Sequence, residues 1–202
     1  MGRTSDARER LTGAIMEMIW VGSYGRASVE GICEQAGVKK GSFYYYFESK
    51  AALAEAALAD AWEERRGVLE GMLLGSGEGT WEGLRRWGRE LVSLQGGMAA
   101  RHGRVVGCPL HALGAEISMQ EEGLRRKVGE ILERYVDLVD GAIRRADPGV
   151  RAEDAAVRAR RVFAYVEGLL TQARIANDLG VLEGLEEGVV AIAQPREVAA
   201  VA

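Results

Sequence analysis

The 202 residues carry 48% hydrophobic and 28% charged side chains with a net charge of −4, which excludes a disordered chain and sets a soluble protein with room for one good core or two small domains. The longest run without Asp, Glu, Lys or Arg, residues 105–115, is 11 residues long, short of the roughly 20 that span a bilayer, and no basic-then-apolar leader opens the chain, so a cytoplasmic protein with no membrane partner is expected. Cys33 and Cys108 form no C-x-x-C pair, which argues against a disulfide framework or a structural zinc and fits free thiols in a reducing compartment.

Helix 1 is predicted over residues 4–22, with Leu11, Ala14, Ile15, Met18 and Ile19 as its inward stripe. A second helix is capped by Ser28, and Val29, Ile32, Cys33 and Ala36 recur at i, i+3, i+4 and i+7. Gly37 ends it, because glycine takes the left-handed conformation after a helix without steric cost, and Val38 returns an apolar contact. From Lys39 a short third helix puts Phe43 and Phe47 on one stripe, with Lys40 and Tyr44, and Gly41 and Tyr45, on neighbouring ones. Helix, glycine turn and aromatic-basic helix in this order have the layout of a helix-turn-helix, whose second helix reads a DNA major groove.

A fourth helix is predicted from Ser49, with Ala54, Leu58, Ala61, Trp62, Leu69, Met72 and Leu73 in helical period, long enough to leave one domain and enter another. Residues 75–80 (GSGEGT) break the pattern, and Thr80 caps a helix with the stripe Leu84, Trp87, Leu91, Leu94 and Met98. A basic loop around Arg101, His102 and Arg104 precedes a short helix over 109–118, with Pro109 in its first turn. Leu124, Val128, Ile131, Leu132, Tyr135, Leu138, Val139, Ala142 and Ile143 follow the 3.6-residue period for five turns, ending before Asp147-Pro148-Gly149. A long helix over 152–177 carries Val162, Tyr165, Val166, Leu169, Leu170 and Ala173, Gly180 ends that region, and Leu182, Leu185, Val189 and Ile192 form a last amphipathic helix before Pro195. With no alternating strand pattern, internal repeat or low-complexity tract, the fold class is all-α with about nine helices: a three-helix domain over 1–50 and a helical domain over 51–202.

Residues 28–50, SVEGICEQAGVKKGSFYYYFESK, resemble the signature of the tetracycline-repressor family of bacterial transcriptional regulators, an apolar helix followed by T-S-V-x-x-I-A-x-x-A-G-V-S-K-G-T-L-Y-x-H-F-x-S-K. Ala27, Ser28, Val29, Ile32, Ala36, Gly37, Val38, Lys40, Gly41, Ser42, Tyr44, Phe47, Ser49 and Lys50 fall on or next to the expected types. Lys39 replaces the serine that usually caps the recognition helix, and Tyr46 stands where histidine is common. Lysine has no acceptor oxygen, so that helix start relies on water, or on phosphate once DNA is bound. The resemblance implies a helix-turn-helix domain, middle helices that enclose an effector, and two last long helices that pair with their mates from a second subunit.

The DNA-contacting set expected from the motif is Ser28, Lys39, Lys40, Gly41, Ser42, Tyr44, Tyr45, Tyr46 and Lys50: lysines at phosphates or base edges, Gly41 allowing close approach, and hydroxyls bonding phosphate or base. The competing reading is an ordinary solvated helix with an aromatic core face. Three successive tyrosines point about 100° apart on a helix and are hard to bury together, which favours DNA. Residues 1–50 carry a net +1 against −5 for the remainder, and Arg3, Arg8, Arg10, Lys39, Lys40 and Lys50 form the local cluster expected to meet phosphates.

Trp62, Trp87, Met98, Cys108, His111, Met119, Tyr135 and Phe163 are candidates for the wall of an effector cavity, and each equally suits a core. Cys108 keeps two readings: a small lining residue, or a thiol whose pKa is lowered by a helix start and nearby arginines. His102, Cys108 and His111 have no further ligands at metal spacing, so no metal is expected. The glycine-rich 75–80 segment follows a helix and lacks G-K-[ST], which removes a phosphate cradle. With no catalytic triad either, neither a cofactor nor an enzyme is expected. Tyr165, Leu169, Leu170, Ala173, Leu185, Val189 and Ile192 are expected at an isologous dimer interface, because the last helices carry more apolar surface than one side of a small bundle needs. The sequence therefore points to a homodimeric repressor released from a palindromic operator by a small-molecule effector of unknown identity. The alternatives are an activator, and an all-α small-molecule-binding protein or enzyme.

Overall fold

The computed structural model describes residues 3–75, 80–117, 119 and 121–195. Among these, nine α-helices and one 3₁₀ turn occur and no strand: α1 Arg3–Val21, α2 Val29–Ala36, α3 Lys40–Tyr46, α4 Lys50–Leu74, α5 Glu82–His102, α6 Pro109–Glu116, α7 Glu122–Ala146, α8 Ala152–Ala176, the 3₁₀ turn Leu179–Leu182 and α9 Leu185–Ala193. The all-α class and the helix count expected from periodicity are those observed. Residues 76–79, within the expected 75–80 break, and Ser118, the expected end of α6, lie outside the described residues.

The chain forms two compact units, Met1–Arg66 with Val106–Leu132, and Gly67–Val105 with Glu133–Ala202. In the first, Leu11, Ile15 and Ile19 of α1 meet Ile32, Cys33 and Ala36 of α2 and Phe43 of α3, all buried. The first half of α4 adds Leu53, Ala54, Ala57, Leu58 and Trp62; α6 adds Leu110 and Leu113, and the start of α7 adds Leu124, Val128 and Ile131. Each such fully buried aliphatic or phenyl side chain contributes roughly 1.5–3 kcal/mol against leaving it in water. Ser49 caps α4, its Oγ accepting from Ala52 N at 3.0 Å.

In the second unit α9 packs against α5 and α8, and the 3₁₀ turn packs on α8. The buried residues are Leu84 and Trp87 of α5, Val162, Val166, Leu170 and Ala173 of α8, and Leu185, Val189 and Val190 of α9. A Cβ on Gly188 would overlap the Tyr165 phenol, so the absent side chain is what lets that ring of α8 lie on α9. Asn177 ends α8 in the left-handed region at φ +52°, and its Oδ1 accepts from Val105 N at 2.9 Å.

Three local expectations are corrected. Thr80 does not cap α5: Trp81 holds that position and offers no side-chain acceptor. Arg101 and His102 are the last turn of α5 rather than a loop, where the Arg101 charge faces the helix's negative end. Leu182 belongs to the 3₁₀ turn that Asp178 caps, Gly180 N donating to its Oδ1 at 2.8 Å.

Candidate nucleic-acid interface

The interface is built from the α2 start onward. Ser28 has extended backbone and its Oγ accepts from Gly31 N at 3.0 Å, satisfying a donor that the first turn of α2 leaves open. At the other end Gly37 sits at φ +63°, its N–H donates to Glu34 O at 3.1 Å, and Val38 N–H reaches Cys33 O at 2.9 Å. This paired closure needs a left-handed residue, and a side chain there would be strained. Arg10 of α1 then donates Nη1 to the carbonyls of Ala36 at 3.2 Å and Gly37 at 3.3 Å, clipping the turn to the first helix.

α3 follows within three residues. Lys39 is its N-cap with no side-chain cap bond, and its carbonyl supports the helix start, accepting from Ser42 N at 2.8 Å and Phe43 N at 3.3 Å. Phe43 is fully buried and edge-on to Tyr44 at 5.2 Å, and Phe47 tilts against it at 6.1 Å. This anchored face fixes how the helix is rotated. Opposite it, Tyr44 is 54% and Tyr45 76% exposed, while Tyr46 is half-buried with its ring edge-on to Tyr45 at 4.8 Å. Ser28, Lys39, Lys40 and Gly41 are exposed and Ser42 is half-buried. The face therefore presents phenol hydroxyls, a lysine and a bare backbone patch, groups that hydrogen-bond phosphates and base edges.

Several cations expected at phosphates are engaged by the fold itself. Lys50 donates Nζ to the Tyr24 carbonyl at 2.9 Å and lies 4.0 Å from the centre of the Tyr24 ring. Arg8 pairs with Asp60 of α4 through both terminal nitrogens, at 2.8 and 3.4 Å, and lies over the Phe47 ring at 6.0 Å. Arg10 holds the turn as described, and the Arg3 side chain lies outside what the structure describes. Lys40 is ion-paired with Glu30 of α2 and sits 6.0 Å from the Tyr44 ring. That pairing holds the Glu30 carboxyl below its ordinary range and raises the Lys40 ammonium above its own. These engagements were not readable from sequence because each partner is supplied by tertiary contact.

The residues expected at an effector cavity are spread over both units. Trp62, Cys108, His111 and Met119 belong to the first, and Trp87, Met98, Tyr135 and Phe163 to the second. Met119 is 79% exposed and His111 is exposed, so neither side chain lines an enclosed wall. Trp62 and Trp87 are buried, and Cys108, Met98, Tyr135 and Phe163 are half-buried. Tyr135 and Phe163 stack at 6.0 Å with their planes 26° apart. The Trp87 indole N–H is buried with no hydrogen-bond partner among the described residues. Cys108 is the extended residue before α6 and offers no side-chain cap to it. Among the described residues no group of His, Cys, Asp and Glu is arranged to hold a metal ion.

The expected dimer residues divide as well. Leu170, Ala173, Leu185 and Val189 are buried within the single chain by the packing of α8 and α9, so they fill its own core and have no surface left to offer a partner. Tyr165, Leu169 and Ile192 keep part of their surface. Ile175, four-fifths exposed, and Leu179 join them as apolar side chains in water. Among the described residues no helix is long and apolar enough to cross a membrane.

Comparison with known proteins agrees with this geometry. Residues 11–57 match the family model of bacterial regulatory proteins of the tetR family, and residues 89–187 match the C-terminal domain of LmrA/YxaF-like transcriptional regulators. The chain is 24% identical over 181 residues to an HTH-type transcriptional regulator in the lacX 3′ region of Lactococcus lactis subsp. lactis, covering 88% of each protein. Its fold is similar to that of reduced NemR of E. coli, with a TM-score of 0.79, 22% identity and coverage of 91% of this chain and 95% of that one. FadR of Bacillus subtilis, solved with stearoyl-CoA, superposes with a TM-score of 0.69 at 18% identity, covering 91% and 97%. With both of its domains matched and the recognition helix in place, the chain belongs to the tetR family of transcriptional regulators, whose N-terminal helix-turn-helix binds DNA.

Proposed function

We propose that the chain is a homodimeric repressor that binds a palindromic operator, one α3 per half-site, and is released when a small molecule occupies its C-terminal helical domain. The observation that carries the DNA half of this reading is the division within α3. Phe43 is fully buried, while Tyr44 and Tyr45 on the same seven-residue helix stand in water. Exposed neighbouring tyrosines contribute little to folding and supply hydroxyls at the height of a groove. Ser28, Lys39, Lys40, Gly41, Ser42 and Tyr46 complete the contacting surface. All lie within residues 1–50, the proposed DNA-binding domain, and residues 51–202 take effector binding and dimerisation. Lys50, tied to Tyr24, positions that surface in the free protein.

The small-molecule half is supported by the second unit, where a buried indole N–H of Trp87 lacks a protein acceptor and Tyr135 stacks on Phe163. Buried polar groups are nearly always paired, so an unpaired one is a handle for a ligand. FadR of B. subtilis, of similar fold, was solved with stearoyl-CoA, and such a ligand supports the class of regulation without fixing the effector. Release follows if the effector binds more tightly to an arrangement of subunits that misfits the half-site spacing.

Selection of random duplexes with the full chain tests the reading. The expected result is an enriched palindrome whose half-sites lie about one helical turn apart, or a multiple of it. No enrichment over unselected duplex at low salt, or a single unpaired half-site bound by a monomer, overturns it.

A further inference from the structure

Three successive residues of the turn between α1 and α2 are held by carboxylates from far along the chain. Ser23 Oγ donates to Glu116 Oε2 at 2.6 Å, Gly25 N donates to the same oxygen at 2.9 Å, and the Tyr24 hydroxyl donates to Glu121 Oε1 at 2.5 Å. Glu116 is the last residue of α6, and Glu121 offers its carbonyl to Arg125 N at 3.0 Å as α7 begins. The two carboxylates therefore flank the corner between α6 and α7. All these residues belong to the first compact unit.

The contact is not ordinary surface pairing. Tyr24 is only 3% exposed, and burial together with the Glu121 bond drives its phenol far above the usual range, so it stays a neutral donor. Lys50 closes the turn from below through the Tyr24 carbonyl and ring. Glu55 of α4 brings a third carboxylate near, acting on Tyr24 through its charge and lying against Gly123 in the first turn of α7. Hydrogen bonds to a carboxylate are strong, and these hold the turn only while the geometry persists. A packing role alone is served better by an apolar side chain.

The turn is also the place from which the DNA-reading helices are aimed. Ser28, which caps α2, lies three residues beyond Gly25, and α2 passes into α3 through the tight Gly37 closure. A displacement of the turn moves both helices together. We propose that Glu116 and Glu121 are positioning residues for DNA binding: the α6–α7 corner latches the Ser23–Tyr24–Gly25 turn, and the latched form is the one that binds the operator. This rests on the operator-binding reading above, and it assigns to two acidic residues outside the helix-turn-helix a role in specific affinity.

The test uses the full chain, the duplex recovered by selection and an unrelated duplex of equal length. Glu121→Leu, Tyr24→Phe, Glu116→Ala and the double variant Tyr24→Phe/Glu121→Leu are compared by fluorescence anisotropy well below their melting temperatures. Each single change is expected to weaken operator binding by about tenfold or more with affinity for the unrelated duplex within about twofold, and the double to lose little beyond either single, as for partners in one interaction. Operator affinity that is unchanged, or that falls only in step with the folded fraction and equally on both duplexes, overturns the latch. Should Tyr24→Phe not fold, Ser23→Ala removes one arm of the clasp from a half-buried position and is held to the same outcome. A parent that binds neither duplex refutes operator binding; a parent that binds beside indifferent variants refutes only the latch.

Discussion

α3 and the α8–α9 pair use their apolar residues in opposite ways. α3 has seven residues, no side-chain cap and one fully buried ring, and leaves two tyrosines in water. α8 has 25 residues and, with α9, turns Val162, Val166, Leu170, Ala173, Leu185, Val189 and Val190 into the core of its own unit. A helix that keeps only the burial needed to orient it has side chains free for a partner, whereas one that carries a core has few to spare. Free surface, more than apolar character, is therefore what the proposed contacts of this chain share.

The sharpest break of that contrast lies within α3. Phe43→Ala is expected to cost about 3–5 kcal/mol, and Tyr45→Ala less than about 0.5 kcal/mol, in denaturant unfolding. Tyr45→Ala should nonetheless weaken operator binding at least as much as Tyr44→Ala. Equal stability losses at the two positions would dissolve the distinction between anchor and contact.

In the α8–α9 pair the adjacent leucines separate core from interface. Leu170→Glu buries an unpaired charge and should prevent folding. Leu169→Glu should fold, with helical content unchanged, and sediment as a monomer. A Leu169→Glu protein that stays dimeric moves the interface to another face.

A smaller effect distinguishes the lysines. Lys39→Ala is expected to flatten the dependence of log affinity on log salt by about one, as for one lost phosphate contact. Lys50→Ala should lower the melting temperature and leave that slope nearly unchanged. Glu30→Gln frees Lys40, so binding to any duplex should strengthen a few-fold and the slope steepen. Because the Glu30 carboxyl lies below its ordinary range in the folded protein, the ion pair's contribution is complete at neutral pH and is lost only as pH falls through that lowered value. Unrelated-duplex binding by the parent should then rise toward acid pH more than that of Glu30→Gln.

The smallest expected difference concerns the thiols. Burial and the nearby Glu30 carboxylate push the Cys33 thiol up, whereas Cys108 is half-buried. Near neutral pH Cys108 should be alkylated first in the folded protein, read by mass spectrometry. Faster labelling of Cys33 would show that α2 opens locally.

Much of this was legible in the chain. The i, i+3, i+4, i+7 stripe of α2, its Ser28 cap and Gly37 each follow from local geometry, and all three appear where the pattern puts them. The long helices were equally readable, because their period survives for many turns. What local reasoning missed depends on partners distant in sequence. Arg8, Arg10 and Lys50 look like free cations until Asp60, the Ala36 carbonyl and Tyr24 come into reach. Leu170 and Leu185 look like partner-facing residues until α9 folds back on α8. Glu116 and Glu121 gave no signal, since acidic residues at helix ends are common and nothing local pairs them with a turn more than ninety positions earlier.

The unit that holds the recognition helix is assembled from two stretches, Met1–Arg66 and Val106–Leu132, with other structure between them. Synthesis runs from the amino end, so every proposed base-contacting side chain leaves the ribosome before the second stretch exists. At roughly 5–20 residues per second the remainder of that unit arrives roughly 3–13 s later. Until then the Tyr24 hydroxyl has no Glu121 to bond, and the nascent amino-terminal segment lacks part of its own core. On the proposed latch, competence to bind DNA is tied to translation having passed the second stretch, so that chains terminated before it carry the reading residues without the framework that aims them.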